Sequence, residues 1–80
     1  MTNTILRLPA VKNESGLSRS TIYLRIKQGL FPKPIRLGER AAGWPSSEVA
    51  AINGARIAGK SDDEIRVLVL KLEAARKSAR

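Results

Sequence analysis

Glycine and proline recur at short intervals through the first 59 of the 80 residues, and they limit each regular element there to a few turns or a short strand. Proline lacks a backbone N–H donor and glycine favours turns, so both residues tend to end helices and strands. They stand at Pro9, Gly16, Gly29, Pro32, Pro34, Gly38, Gly43, Pro45, Gly54 and Gly59. A chain of this length has material for one small domain, so several short elements are expected around one core.

The first half of the chain has the pattern of two helices joined by a glycine-containing turn. A short helix is predicted for residues 9–15, because proline suits a first helical turn, and Gly16 ends it. Ser18 can cap a second helix, and Gly29 suits its left-handed end. The apolar face of this second helix is formed by Ile22 and Ile26, with Tyr23 at the border. Two helices joined by a tight turn predict a helix-turn-helix motif.

The middle of the chain predicts a β-hairpin. Residues 31–34 contain two prolines and cannot continue a helix. Strands are predicted for 35–37 and 42–44, with residues 38–41 as the loop between them. We expect the inner face of the hairpin to carry Ile35, Leu37 and Trp44. Such a hairpin after a helix-turn-helix is typical of a wing.

Two more helices are predicted in the second half. One starts at 45–48 with a serine cap and runs to about residue 58; the other starts with the capping box Ser61-Asp-Asp-Glu64. The last helix has an apolar stripe formed by Ile65, Leu68, Val69, Leu72 and Ala75. Two pairs in it, Asp62–Arg66 and Glu73–Lys77, have the i,i+4 spacing of helical ion pairs. The predicted fold class is mainly α with a small β-hairpin. A winged helix-turn-helix occupies residues 5–58, and an amphipathic helix at 61–79 packs on it.

Positive charge is concentrated in the first half of the chain. The net charge is +8, and residues 1–40 carry eight Lys or Arg against two Glu, whereas residues 41–80 carry seven against five acidic residues. This imbalance favours a polyanion-binding face in the first half. A basic protein without such a face is the alternative on charge alone.

Residue types that are missing exclude several functions. The chain has no cysteine and no histidine, which excludes disulfides, Cys/His zinc sites, thiol nucleophiles and imidazole bases. No paired spacing is found among Glu14, Glu39, Glu48 and Glu73, and there is no glycine-rich phosphate loop. We therefore expect no enzyme activity, no catalytic residues, no metal and no cofactor. The N-terminus does not resemble a secretory signal and no apolar run would span a membrane, so a cytoplasmic location is expected.

The candidate DNA-binding residues lie on the second helix and the hairpin. In a helix-turn-helix the second helix enters the major groove, and a basic hairpin can contact the backbone or the minor groove. The helix contributes Ser18, Arg19, Ser20, Thr21, Tyr23, Leu24, Arg25 and Lys27; the hairpin region contributes Lys33, Arg36 and Arg40. Structural alternatives exist: Ser18 can be a cap only, Tyr23 a core residue, and Arg25 and Arg40 solvated side chains. Trp44 is expected to be a core anchor rather than a platform for base stacking.

Several segments resemble the AlpA family of small phage and prophage regulators. They are Arg7-Leu-Pro-Ala-Val11, Gly16-Leu-Ser-Arg-Ser-Thr-Ile-Tyr23, Gly29-Leu-Phe-Pro-Lys-Pro-Ile35, Leu37-Gly-Glu-Arg-Ala41 and Gly43-Trp-Pro-Ser-Ser-Glu-Val49. The resemblance covers residues 5 to about 52 and implies a MerR-like winged helix related to excisionases. It implies a transcriptional regulator, or a recombination directionality factor that bends attachment-site DNA. Family members often have Arg or a polar residue in place of Leu24 and Trp in place of Ala51.

Other functions and partners remain open at this point. An RNA-binding protein would be expected to show more than three aromatic residues for stacking, and an interaction module would use the last helix. Double-stranded DNA is the expected partner, and an integrase or other recombinase is a further candidate. The last helix also carries Val67, Leu70 and Ala74 opposite its apolar stripe, which favours a homo-oligomer or cooperative assembly on DNA.

Overall fold

The computed structural model describes residues 4–78, which form four helices and three short strands. In chain order they are β1 (Ile5–Leu6), α1 (Leu8–Ser15), α2 (Arg19–Lys27), β2 (Ile35–Arg36), β3 (Ala42–Pro45), α3 (Ser46–Ile57) and α4 (Asp62–Ser78). This mainly helical architecture with one small antiparallel sheet is a winged helix-turn-helix, as the sequence predicts. The predicted end of the last helix at residue 79 lies outside the described residues.

Helices α1 and α2 form the helix-turn-helix. Gly16 ends α1 with a φ of 71°, a left-handed conformation that a residue with a Cβ adopts only at a cost. Its N–H donates to the carbonyl of Lys12. Ser18 then caps α2, because its Oγ accepts a hydrogen bond from the N–H of Thr21. Local residue preferences therefore fix both ends of this turn.

The sheet has the strand order β1-β3-β2, and both pairs are antiparallel. The hairpin of β2 and β3 is closed by a hydrogen bond of 2.8 Å from the N–H of Leu37 to the carbonyl of Ala41. Strand β1 pairs with the other edge of β3. The sequence predicts the hairpin but not β1, because two residues are too short to show an alternating pattern.

One predicted feature of the hairpin is wrong: Trp44 does not share a face with Ile35 and Leu37. Ile35 lies opposite Gly43, and opposed residues of antiparallel strands point to the same side, so the next residue, Trp44, points to the other side. Trp44 is fully buried against the helices, whereas Leu37 is 45% exposed on the outer side. Gly43 provides room on that outer side, since a Cβ there would lie 2.5 Å from Ile5 Cγ2.

The core lies between the inner side of the sheet and the four helices. Its buried apolar residues are Val11, Ile22, Leu30, Phe31, Trp44, Val49, Ile52, Ile65 and Val69. Trp44 packs edge to face with Phe31, and its Nε1–H donates to the carbonyl of Pro32 at 2.9 Å. Leu30 and Phe31 were not expected in the core, because they lie in an irregular segment where periodicity gives no information.

The predicted serine cap of α3 is also wrong. Pro45 occupies the cap position, and Ser46 is the first residue of the helix. Strand β3 continues directly into α3, so Ser46 extends the pairing with the N-terminal segment instead: its N–H donates to the carbonyl of Thr4, and its Oγ accepts from the N–H of Thr4. Glu48, in the first turn of α3, is almost fully buried.

Helix α4 binds the connection between α2 and β2 through side chains. Arg66 Nε donates to the carbonyl of Gln28 at 2.9 Å, and Glu73 Oε2 accepts from the N–H of Lys33 at 2.9 Å. Arg76 donates to the carbonyl of Lys33 and to both carboxylate oxygens of Glu48. These hydrogen bonds to Glu48 raise the pKa of Arg76 above its ordinary value. The connection therefore owes part of its conformation to residues about 40 positions further along the chain.

The two predicted ion pairs within α4 are not the ones formed. Arg66 pairs with Asp63 at 3.1 Å, and Asp62 pairs with Arg56 of α3 at 3.2 Å. Glu73 accepts from the backbone of Lys33 instead of pairing with Lys77. Spacing along a helix identifies candidate partners, but groups supplied by α3 and by the α2–β2 connection compete for them.

The apolar stripe of α4 packs on the core largely as predicted. Ile65 and Val69 are buried and Leu68 and Leu72 are partly buried, but Ala75 is exposed. The opposite side is open: Val67 is 52% and Leu70 is 67% exposed. None of the helices within residues 4–78 is long and apolar enough to cross a membrane.

Candidate nucleic-acid interface

Three hydroxyl groups cluster at the N-terminus of α2. Ser18 Oγ donates to Thr21 Oγ1 at 2.9 Å and lies 3.3 Å from Ser20 Oγ. Ser18 and Ser20 are exposed, and Thr21 is half-buried. The cap role of Ser18 is thus present in the structure, and the cluster still offers lone pairs and rotatable O–H donors to an outside ligand.

Arg19 and Tyr23 connect the exposed surface of α2 to the core. The guanidinium carbon of Arg19 lies 5.9 Å from the centre of the Tyr23 ring, a cation–π distance. The Tyr23 ring in turn packs edge to face on Trp44, with centres 6.4 Å apart. Tyr23 remains 39% exposed. It therefore borders the core and also presents its phenol group at the surface.

The remaining candidates on α2 differ in exposure. Leu24 is 53% exposed and Lys27 is exposed, so both lie on the open side of the helix. Arg25 is half-buried and lines a groove of about 400 Å³ between α2 and α3, together with Phe31 and Arg56. Arg25 is therefore the least accessible of the three cations on this helix.

The hairpin candidates fall into two groups. Arg36 and Arg40 are exposed, and Arg36 lies opposite Ala42 on the side of the sheet that also carries Trp44. Lys33 is exposed as well, but it lies on the α4 side, in a depression that it shares with Arg66 and Glu73. Arg40 lines a cavity together with Tyr23 of α2, and Lys33 lies apart from both.

A small cavity of about 180 Å³ joins three elements of this surface. Its polar lining is Arg7 before α1, Tyr23 of α2 and Arg40 of the hairpin loop. Its walls are Leu8, Pro9, Ala42 and Trp44. Arg7 is not among the DNA-binding residues predicted from the sequence, although it adds to the positive charge of the first half and stands in the Arg7-Leu-Pro segment.

We call the surface formed by Arg7, Arg19, Tyr23, Arg36 and Arg40, with the hydroxyls at the start of α2, the α2–hairpin surface. Within residues 4–78, none of its arginines forms an ion pair with a carboxylate. Unpaired guanidinium groups and hydroxyls on one surface are suited to hydrogen-bonding an anion such as a phosphate.

The fold and this surface define the class as a small winged helix-turn-helix protein with a basic face. Comparison with known families agrees: the model described as "Prophage CP4-57 regulatory protein (AlpA)" matches residues 4–51, more than half of the chain. The chain therefore belongs to the AlpA family of prophage regulatory proteins. The match includes the helix-turn-helix and the hairpin, and it ends before α4.

Two curated relatives are similar to this region. "Uncharacterized protein ORF88" of Enterobacteria phage P4 is 49% identical over 55 residues, which are 69% of this chain and 62% of that protein. "DNA-binding transcriptional activator AlpA" of Escherichia coli strain K12 is 43% identical over 51 residues, which are 56% of this chain and 73% of that protein. The chain thus spans less than two thirds of the phage P4 protein. No solved structure matches significantly.

Proposed function

We propose that this protein is a cytoplasmic, DNA-binding transcriptional regulator of the phage and prophage type, with a binding role and no catalysis. Helix α2 enters the major groove of duplex DNA, and the hairpin contacts the adjacent groove. The observation that carries the proposal is the α2–hairpin surface, whose four arginines have no carboxylate partner among the described residues. The name of the relative in Escherichia coli supports a role in transcription. Neither relative described above is named for excision, so we do not favour that alternative.

Salt dependence of duplex binding tests the proposal. A target is first selected from a random duplex pool, and its affinity is then measured by fluorescence anisotropy over a range of salt concentrations. If about 4–6 phosphates are neutralised, log K should fall with log salt with a slope of about −4 to −5. A single-stranded RNA of equal length is the control. Equal affinity for this RNA, or an affinity independent of salt, would contradict the proposal.

Cooperative assembly on DNA is the second part of the proposal. Val67 and Leu70 lie three residues apart on the open side of α4, and both are more than half exposed. One small module contacts few base pairs, and pairing two modules raises the effective affinity. Replacing both residues with glutamate should reduce cooperativity on a fragment with two sites and leave one-site affinity unchanged. A monomeric wild type with unchanged cooperativity in the double variant would rule this part out.

A further inference from the structure

The cavity lined by Arg7, Tyr23 and Arg40 has an unbalanced charge. Two guanidinium groups lie on one small concave site, and none of the residues that line it is acidic. Neither arginine forms an ion pair within the described part of the chain. Like charges at close range repel each other unless an anion lies between them. The site is therefore complementary to a compact anion with several acceptor oxygens.

The position of the cavity indicates which anion this is. The cavity lies between α2 and the hairpin loop, because Tyr23 comes from the first and Arg40 from the second. In B-DNA, one sugar–phosphate strand separates the major groove from the adjacent minor groove. A protein with a helix in one groove and a hairpin in the next must straddle that strand. The strand then passes over the space between the two elements, where the cavity is.

From this placement we infer that Arg7, Tyr23 and Arg40 bind one backbone phosphate of the DNA, and that Arg7 is a DNA-binding residue. The inference rests on the proposed function. Guanidinium groups bind phosphate oxygens through two parallel N–H donors, and the phenol of Tyr23 adds one O–H donor. All three residues would position the DNA without reading its sequence.

Arg7 and Tyr23 are held by the fold in ways that suit this role. Arg7 immediately precedes α1, and its carbonyl accepts a hydrogen bond of 3.0 Å from the N–H of Val11. Its side chain therefore starts from a fixed backbone rather than from a loop. The Tyr23 ring contacts both Arg19 and Trp44.

The first test compares Arg7→Gln with Lys71→Gln. Each change removes one exposed positive charge, but Lys71 lies on α4 beside Val67, away from the cavity. Arg7→Gln should weaken binding to every duplex by about 5–10-fold and reduce the salt slope by about 1, whereas Lys71→Gln should change neither. Arg7→Lys should restore the slope but only part of the affinity, because lysine lacks the two-pronged geometry. Thermal melts confirm that each variant is folded.

The second test locates the phosphate on the DNA. Single phosphates of the selected duplex are replaced one at a time with neutral methylphosphonates. Replacement at one position between the two grooves should weaken DNA binding by the wild type. The same replacement should cause no further loss of affinity in Arg7→Gln and Arg40→Gln. If the wild type binds the duplex and both variants lose affinity at that position as the wild type does, the inference is wrong and the proposed function stands. If the wild type shows no preference for duplex DNA, both fail.

Discussion

The α2–hairpin surface and the α4 side of the molecule use the same residue types in opposite ways. On the α2–hairpin surface, Arg7, Arg36 and Arg40 have no carboxylate partner among the described residues. On the α4 side, Arg56, Lys60, Arg66 and Arg76 each pair with an acidic residue. Arg66 and Arg76 also donate to backbone carbonyls of the α2–β2 connection.

The difference shows that a basic residue can have one of two roles, which the net charge alone does not distinguish. A cation whose hydrogen bonds are made within the protein contributes to the fold and has fewer donors left for a ligand. A cation without an internal partner is available to a polyanion, and its attraction weakens as salt is added. Five of the seven acidic residues lie in the second half of the chain. Their uneven placement divides the cations into those with a carboxylate partner and those without one. Changes on the two sides should therefore affect different measurements.

The largest effect is expected beneath both surfaces, at Trp44. This residue is fully buried, contacts both Tyr23 and Phe31, and makes a buried hydrogen bond to the carbonyl of Pro32. Trp44→Ala should lower the free energy of unfolding by about 3–5 kcal/mol, because it empties a core position. Urea unfolding measures this loss, with Trp44→Phe as a milder control. A stable Trp44→Ala protein that has lost DNA binding would show that Trp44 belongs to the interface, and the comparison would then fail.

Arg76→Ala should have the next largest effect, and it should act on stability. Glu48 is almost fully buried, and Arg76 holds both its carboxylate oxygens at 2.6 and 2.9 Å. Without Arg76 the charge of Glu48 is left unpaired, which should cost about 2–4 kcal/mol of unfolding free energy, somewhat less than for a fully enclosed pair.

Lys77→Ala is the matched control for Arg76→Ala, because it removes an exposed cation from the same helix. It should change stability by less than about 0.5 kcal/mol. Chemical unfolding of both variants gives the difference. Equal stability of the two proteins would mean that the Glu48–Arg76 pair contributes no more than an ordinary surface charge.

Arg19→Ala should produce the opposite pattern, with a loss of binding and unchanged stability. Arg19 is exposed at the start of α2, the part of a recognition helix that meets base edges. If it reads a base, its removal should weaken specific binding by about 1–3 kcal/mol and relax the preference at one base pair. Affinities for a set of single-base variants of the selected duplex measure both effects.

Arg25→Ala sharpens this test, because Arg25 is half-buried beside Arg56. We expect it to affect base preference less than Arg19→Ala does. If neither variant changes affinity or preference, α2 does not read the sequence through its arginines, and another element does.

The smallest effect is expected at Glu64, in the capping box of α4. The backbone N–H of Ser61, helped by the serine hydroxyl and by Lys60, lowers the pKa of Glu64. A carboxylate with a lowered folded-state pKa stabilises the protein above its unfolded-state pKa, and this contribution is lost as the pH falls through the folded-state pKa. Glu64→Gln should therefore be slightly less stable than the wild type at neutral pH, and the two should converge on acidification. A difference that does not depend on pH would assign the effect to the hydrogen bond and not to the charge.

Features that depend on neighbouring residues could be predicted from the sequence. The glycine turn at Gly16, the Ser18 cap and the Ser61–Glu64 capping box were predictable because their partners lie within four residues. The hairpin was predictable from its short strands and loop. The basic character of the first half was also visible, and with it most of the candidate interface. The register of the strands did not follow from this information, because a shift by one residue exchanges the two sides of a strand.

The tertiary structure determines which distant residues meet. It paired β1 with β3, turned Trp44 inward and Leu37 outward, and placed Phe31 in the core. It brought Arg76 to Glu48, 28 positions earlier in the chain. It also brought Arg7 beside Arg40, which turned a residue that sequence reasoning left out into part of the proposed phosphate site. The physical reason is that residue preferences and periodicity report local geometry, whereas these contacts depend on how whole elements pack, and several distant partners compete for each polar group.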